Sequence, residues 1–194
     1  MSVFVLVGGW PGSGKSTLAR ALAPELHLPL LAKDEIKEAL TDELGQPQTV
    51  ADSQRLGRIA VLLMLRIAGR CPGAVLDSTW FDYTRPLLSA LPGPLVEVRC
   101  LLPREVARAR YRARAAARHP GHLDHLRDDD ELWGRPVLPL HVGPLLAVDT
   151  SASVDPTDLP AALRRWQPAL ATGPVTSELS LAPPTEGSAC GTGY

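Results

Sequence analysis

Apolar runs and breaks alternate along this chain in a regular order. Val3-Phe-Val-Leu-Val7 is a β-branched run that stops at Gly8-Gly9, the pattern of a strand buried on both faces of a parallel sheet. Lys15 to Ala23 predicts a helix with Pro24 beyond it. Leu28 to Leu31 predicts a short second strand, and Asp34 an N-cap for a helix through Glu35, Ile36, Lys37 and Leu40. Thr49 to Arg70 carries Leu56, Ile59, Leu62, Leu63 and Ile67 in a long helical stretch that Pro72-Gly73 breaks. Ala74-Val-Leu-Asp77 predicts a third strand, Tyr83 to Leu91 a short helix, and Leu95 to Leu102 a fourth strand. Pro103 opens a helix running to about Arg118. After an irregular stretch, Leu145 to Val148 predicts a fifth strand and Thr157 to Trp166 a last helix.

Strands alternating with helices imply an α/β fold with a mainly parallel sheet and right-handed crossovers. The 194 residues suit one domain over residues 1–167. From Pro168 onward Pro, Gly, Ser and Thr dominate without apolar periodicity, so residues 168–194 are expected to be a disordered tail.

Composition narrows the classes. A 45% hydrophobic and 21% charged chain is that of a soluble globular protein. The net charge of −1 gives no overall electrostatic case for nucleic acid or a membrane surface. Three widely spaced cysteines form neither a metal pattern nor a disulfide framework, which fits a reducing, cytoplasmic setting. No apolar run reaches membrane-spanning length, and Val3 to Val7 is too short for a signal h-region.

Gly9-Trp-Pro-Gly-Ser-Gly14-Lys15-Ser16 matches G-x-x-x-x-G-K-[ST] between a predicted strand and a predicted helix. Glycines let the backbone wrap phosphates with its N–H groups inward, and the helix start adds the positive end of its dipole. Gly12, Ser13, Gly14, Lys15, Ser16 and Thr17 are therefore the expected nucleotide-binding positions, for ATP with Mg²⁺. Lys15 is expected on the β- and γ-phosphates and the Ser16 hydroxyl on Mg²⁺. The fold expected is a three-layer P-loop NTPase sandwich on a five-stranded sheet.

Parallel sheets bind ligands at their strand carboxyl ends. Asp77 ends the third strand and is expected to support the metal. Asp34, after the second strand, is the first choice for the base that takes a proton from an acceptor hydroxyl. Between residues 104 and 118 six arginines stand against the single acid Glu105. Arg110, Arg114 and Arg118 recur at i+4 and are expected to close over the triphosphate; Arg104, Arg108 and Arg112 form a second row expected in solvent. This helix and the segment after it, about 103–142, form the expected lid and acceptor cap. His119, His122, His125 and Asp124 lie in the cap, where they are expected to bind hydroxyls or phosphate. Asp128 to Glu131 reads as a solvated helix start. Trp10 walls the acceptor site or packs on the sheet; Trp133 and Trp166 read as packing residues.

With those residues in place, the chain resembles the P-loop kinases of the small-substrate group, among them polynucleotide 5′-kinase, chloramphenicol phosphotransferase, gluconate kinase and zeta toxin. The resemblance covers about residues 3 to 166. It implies that Asp34 in Lys33-Asp-Glu-Ile-Lys37 is the general base and that Lys37 contacts the acceptor. Asp77-Ser-Thr79-Trp80 resembles the family's D-x-T-N, with Trp80 in place of the usual polar residue. It also implies acceptor contacts for Thr79, Trp80 and Arg85, a lid at Arg110-Tyr-Arg-Ala-Arg114, and an adenine-flanking loop at Val148-Asp149-Thr150; Arg118 and His122, after the lid, are expected at the acceptor from their place in the chain.

The acceptor expected is a hydroxyl of a small molecule: a sugar, nucleoside or antibiotic. A polynucleotide 5′-hydroxyl kinase would need a basic channel, and positive residues outside the lid are scattered. A nucleoside monophosphate kinase would need a phosphate clamp, for which Lys37, Arg55, Arg58 and Arg85 are available. A regulatory ATPase without acceptor is the remaining class; no N-K-x-D guanine motif is present. GTP as donor stays open, as does a monomer or a homodimer.

Overall fold

The computed structural model describes residues 3–134, 136–155, 159, 161, 163 and 178–181. Its sheet runs β2-β3-β1-β4-β5-β6, and every pairing is parallel. The strands are β1 (Phe4–Gly8), β2 (Leu30–Ala32), β3 (Ala74–Asp77), β4 (Leu95–Leu101), β5 (Leu145–Asp149) and β6 (Glu178–Leu181). The first five are the predicted ones. β6 falls within 168–194, the stretch expected to be a tail; the rest of that stretch lies outside the described residues.

Side-chain alternation along β1 explains the three layers. Val3, Val5 and Val7 pack with Leu18, Ala19, Leu22 and Leu26 of α1 (Lys15–Leu26). Phe4 and Leu6 face the other way, onto Val61, Met64, Leu65 and Ala68 of α3 (Val50–Ala68). A strand apolar at every position is thus covered by a helix on each side. Leu159 and Leu163 join the α1 side and Ala161 is exposed; the remainder of the helix predicted over 157–166, Trp166 included, lies outside the described residues.

Three details differ from expectation. Pro24 sits inside α1, which ends only at Leu26, with His27 in the left-handed conformation as C-cap. Proline forfeits one backbone bond and does not stop the last turn. The helix α2 (Lys33–Leu44) is preceded by Ala32, so Asp34 lies in its first turn and is not its N-cap. Along α3 the inward positions are Ala60, Val61, Met64, Leu65 and Ala68, which leaves Leu62, Leu63 and Ile67 exposed. Small residues at Ser53, Gly57 and Ala60 are the buried positions of its N-terminal half. Among the described residues no helix is long and apolar enough to cross a membrane.

Candidate active site

Sheet register builds the site. Asp77 pairs with Val7 on one side and with Ala32 on the other. The carboxyl ends of β1, β3 and β2 therefore lie level. Three features converge there: the loop over residues 9–14, the Asp77 carboxylate, and Lys33-Asp34 opening α2. This is the crevice at which a parallel sheet presents ligand-binding groups.

The loop needs its glycines. Gly12 and Gly14 have φ of 80° and 81°. A Cβ on Gly12 would lie 2.2 Å from the Ala107 carbonyl oxygen of α5 (Arg104–Arg114), so the loop and α5 are in direct contact. Gly12→Ala combines that clash with a disfavoured φ and is expected to cost about 1–3 kcal/mol. At roughly 2–4 °C per kcal/mol, thermal unfolding should fall by several degrees. An unchanged Tm would show that α5 gives way freely.

Lys15 is buried beneath the loop, and its pKa is lowered, first by burial, with Asp77 and Asp34 opposing. Asp77 is 5% exposed and shifts the other way. Burial raises its pKa, while Lys15 and a hydrogen bond from Ser16 pull it down. Its Oδ1 has no hydrogen-bond partner among the described residues, and neither has the buried Ser13 hydroxyl. An orphaned carboxylate oxygen beside the Ser16 hydroxyl is a donor set that fits Mg²⁺, a hard cation that takes oxygen ligands. The buried ammonium and inward-turned loop fit the phosphates that accompany it.

Asp34 is held between two cations. Lys33 Nζ donates to Oδ1 at 2.7 Å and Arg118 Nη2 to Oδ2 at 3.2 Å. Burial would raise its pKa, but the charges of Lys33, His122 and Lys15 outweigh that and hold it far below the usual carboxylate range. Arg118 also grips both oxygens of Asp124 at 2.8 Å, and Tyr111 Oη donates to Asp124 at 2.6 Å. Tyr111 and Arg118 thereby tie α5 and the segment after it to Asp34.

A cleft of about 460 Å³ opens from these groups. It takes in Lys15, Asp34, Lys37, Thr79, Arg114, Arg118 and His122 among the expected site residues. It does not take in Trp80 or Arg85, both expected at the acceptor. The Trp80 indole is buried in the sheet core and donates to the Val7 carbonyl at 3.1 Å. Arg85 is engaged by the Leu140 carbonyl and Asp82. Arg110 also stands apart from Arg114 and Arg118. It donates to the carbonyls of Thr150 and Ser151 at 2.7 and 2.6 Å. Steps of i+4 drift about 40° around a helix of 3.6 residues per turn, and α5 ends at Arg114.

Thr150 Oγ1 donates to the Ser13 carbonyl, joining the loop after β5 to the P-loop; Asp149 accepts from the Ser151 N–H. The second arginine row is engaged too: Arg108 and Arg112 pair with Asp129, and Arg104 lies over Trp10. Trp10 packs on Trp133, centroids 5.4 Å apart. His119 and His122 are taken up by Asp42 and Glu38 at 2.9 and 2.8 Å.

Sequence reasoning missed Ser53. Its hydroxyl accepts from Lys37 Nζ at 2.6 Å and donates to the Gly121 carbonyl at 2.9 Å, joining α2, α3 and the cap. A buried serine one turn before Gly57 was the available signal. Lys37 is 4% exposed, and burial first, then the charges of Lys33 and Arg127, push it from 10.5 to about 8. Between those values the unfolded chain binds the extra proton, so this lysine makes stability rise with pH from about 8 to 10.5. Lys37→Met removes the buried charge and is expected to raise Tm at pH 7. The advantage over wild type should shrink by pH 10; a variant less stable at pH 7 would contradict the assigned cost.

Comparisons with known proteins agree with this fold. An AAA domain family model (AAA_33) matches residues 4–129. A candidate kinase from Chloroflexus aurantiacus superposes with a TM-score of 0.74 at 29% identity, over 84% of this chain and 97% of that one. A shikimate kinase from Acinetobacter baumannii, solved with shikimate, has a TM-score of 0.53 at 19% identity, over 87% and 94%, and shares the fold. An uncharacterized protein of Mycobacterium tuberculosis is 33% identical over 126 residues, 57% of this chain and 25% of that protein. The chain thus spans about a quarter of the length of the curated relatives it matches.

Proposed function

The chain belongs to the AAA domain family AAA_33, and from that premise we propose that it is a kinase moving the γ-phosphoryl group of ATP to a hydroxyl of a small molecule. The observation that carries this reading is the single cleft in which Lys15, Asp34 and Arg114 meet. A cleft of about 460 Å³ is far larger than an attacking water needs, which favours an acceptor over hydrolysis.

The positions of these groups support the following roles. Backbone N–H groups of Gly12 to Ser16 and the Lys15 ammonium hold the phosphates. Ser16 and Asp77 would hold Mg²⁺, which supplies charge neutralisation on the phosphate oxygens. Asp34 takes the acceptor's hydroxyl proton as its oxygen bonds to the γ-phosphorus and the bond to the β–γ bridging oxygen breaks, leaving ADP. A loose transition state asks little basicity of Asp34, which suits a carboxylate held well ionised. Arg114 has no carboxylate ion pair among the described residues and faces the cleft, where it offsets charge on the moving group. Arg110 holds the loop after β5, the expected adenine flank, against the lid.

The test is ADP release from ATP·Mg²⁺ against sugars, nucleosides, hydroxy acids, antibiotics, nucleoside monophosphates and 5′-hydroxyl oligonucleotides. Stimulation by one acceptor class is the expected result. A slow rate indifferent to all of them would favour an acceptor-free ATPase.

A further inference from the structure

Cations around the cleft outnumber the carboxylates that neutralise them. Lys33 pairs with Asp34, Arg118 with Asp124 and Asp34, and Arg127 with Glu131. In the kinase reading Lys15 and Arg114 serve the triphosphate. Lys37 and Arg58 are left over, both lining the cleft, and neither makes an ion pair among the described residues.

Lys37 is the telling group. A lysine 4% exposed ordinarily has a counter-charge at contact, because a buried unpaired ammonium is costly. Here its one side-chain hydrogen bond goes to the neutral hydroxyl of Ser53. Its charge is depressed but retained at neutral pH, with a pKa of about 8. Arg58 stands five residues beyond Ser53 on the face of α3 that lines the cleft, and its charge acts on Tyr83, another lining residue. The lining there includes an aromatic pair: the rings of Phe81 and Tyr83 stack within 15° of parallel, centroids 6.4 Å apart.

We propose that the phosphoryl acceptor is a hydroxy compound bearing an anionic group, carboxylate or phosphate, that Lys37 and Arg58 bind. This rests on the kinase reading and narrows it. Asp34 and Lys37 are three apart on α2, so their side chains start about 5–6 Å apart. Hydroxyl and anion are therefore separated by only a few bonds, with the body of the acceptor against Phe81 and Tyr83. A neutral sugar would leave Lys37 uncompensated, and an aminoglycoside would bring further positive charge to it.

The experiment separates this proposal from the reading beneath it. The chain is first saturated with Mg²⁺ and a non-hydrolysable ATP analogue, which fills the P-loop. Failure to take up the analogue would overturn the kinase reading and this proposal with it. Inorganic phosphate and acetate are then titrated in separate calorimetric runs. One equivalent of anion is expected to bind with a Kd on the order of millimolar. Arg58→Gln, at an exposed position that does not threaten folding, and Lys37→Met should each weaken it by about tenfold or more. Phosphate favoured over acetate points to a phosphorylated acceptor; the reverse points to a hydroxy acid. No anion bound to the saturated chain, or binding that both variants keep, would overturn the proposal. So would phosphoryl transfer confined to neutral or cationic acceptors, which would leave the kinase reading standing.

Discussion

Lys15→Ala is expected to lower phosphoryl transfer by about 10³-fold, the largest effect of any single change. The Lys15 ammonium is buried and desolvated, with Asp77 and Asp34 as its counter-charges. Alanine removes the positive charge nearest the phosphates in this account. It also leaves Asp77 buried without the cation that opposes its protonation, so the carboxylate shifts further toward its neutral form. Metal and nucleotide handling then fail together. Steady-state rates with a nucleotide titration check this; undiminished transfer would sink the mechanism.

Asp34→Asn is expected to lower kcat by about 100-fold or more while nucleotide binding persists. Asparagine keeps the shape and a hydrogen-bonding oxygen but cannot take a proton. Arg118 keeps both oxygens of Asp124 and can still donate to the asparagine oxygen, so the guanidinium keeps its place. The change therefore separates proton acceptance from architecture, which an alanine would not. A rate within a few-fold of wild type would assign the base elsewhere, first to Asp77. The low pKa of Asp34 also sets a direction for pH: its ionisation should not limit the rate at any pH near neutral.

What could be read from the chain depended on how local the signal was. The P-loop is eight consecutive residues between a β-branched strand and a helix, so motif and context sit together. Asp77 and Asp34 were legible for a related reason: each closes or succeeds a short strand of a parallel sheet, and register brings those ends level. Arg110 and Arg118 share an i+4 ladder with Arg114, but spacing alone could not say that Arg110 would turn to the Thr150 carbonyl. Trp80 and Arg85 matched a family pattern, yet burial in the sheet core and a carbonyl at Leu140 decided their places. The Ser53 link spans 68 residues to Gly121, and no periodicity within α3 announces it. Long-range polar contacts are set by packing, which the local pattern does not encode.

The γ-phosphoryl group is expected to pass to an acceptor hydroxyl and not to water. The most direct measurement supplies ATP labelled at the γ-phosphorus, with Mg²⁺ and the acceptor panel, and tracks the label. The account predicts label in one class of acceptor, lost in Lys15→Ala and reduced about 100-fold in Asp34→Asn. Label found only in inorganic phosphate, at a rate no acceptor changes, would contradict it.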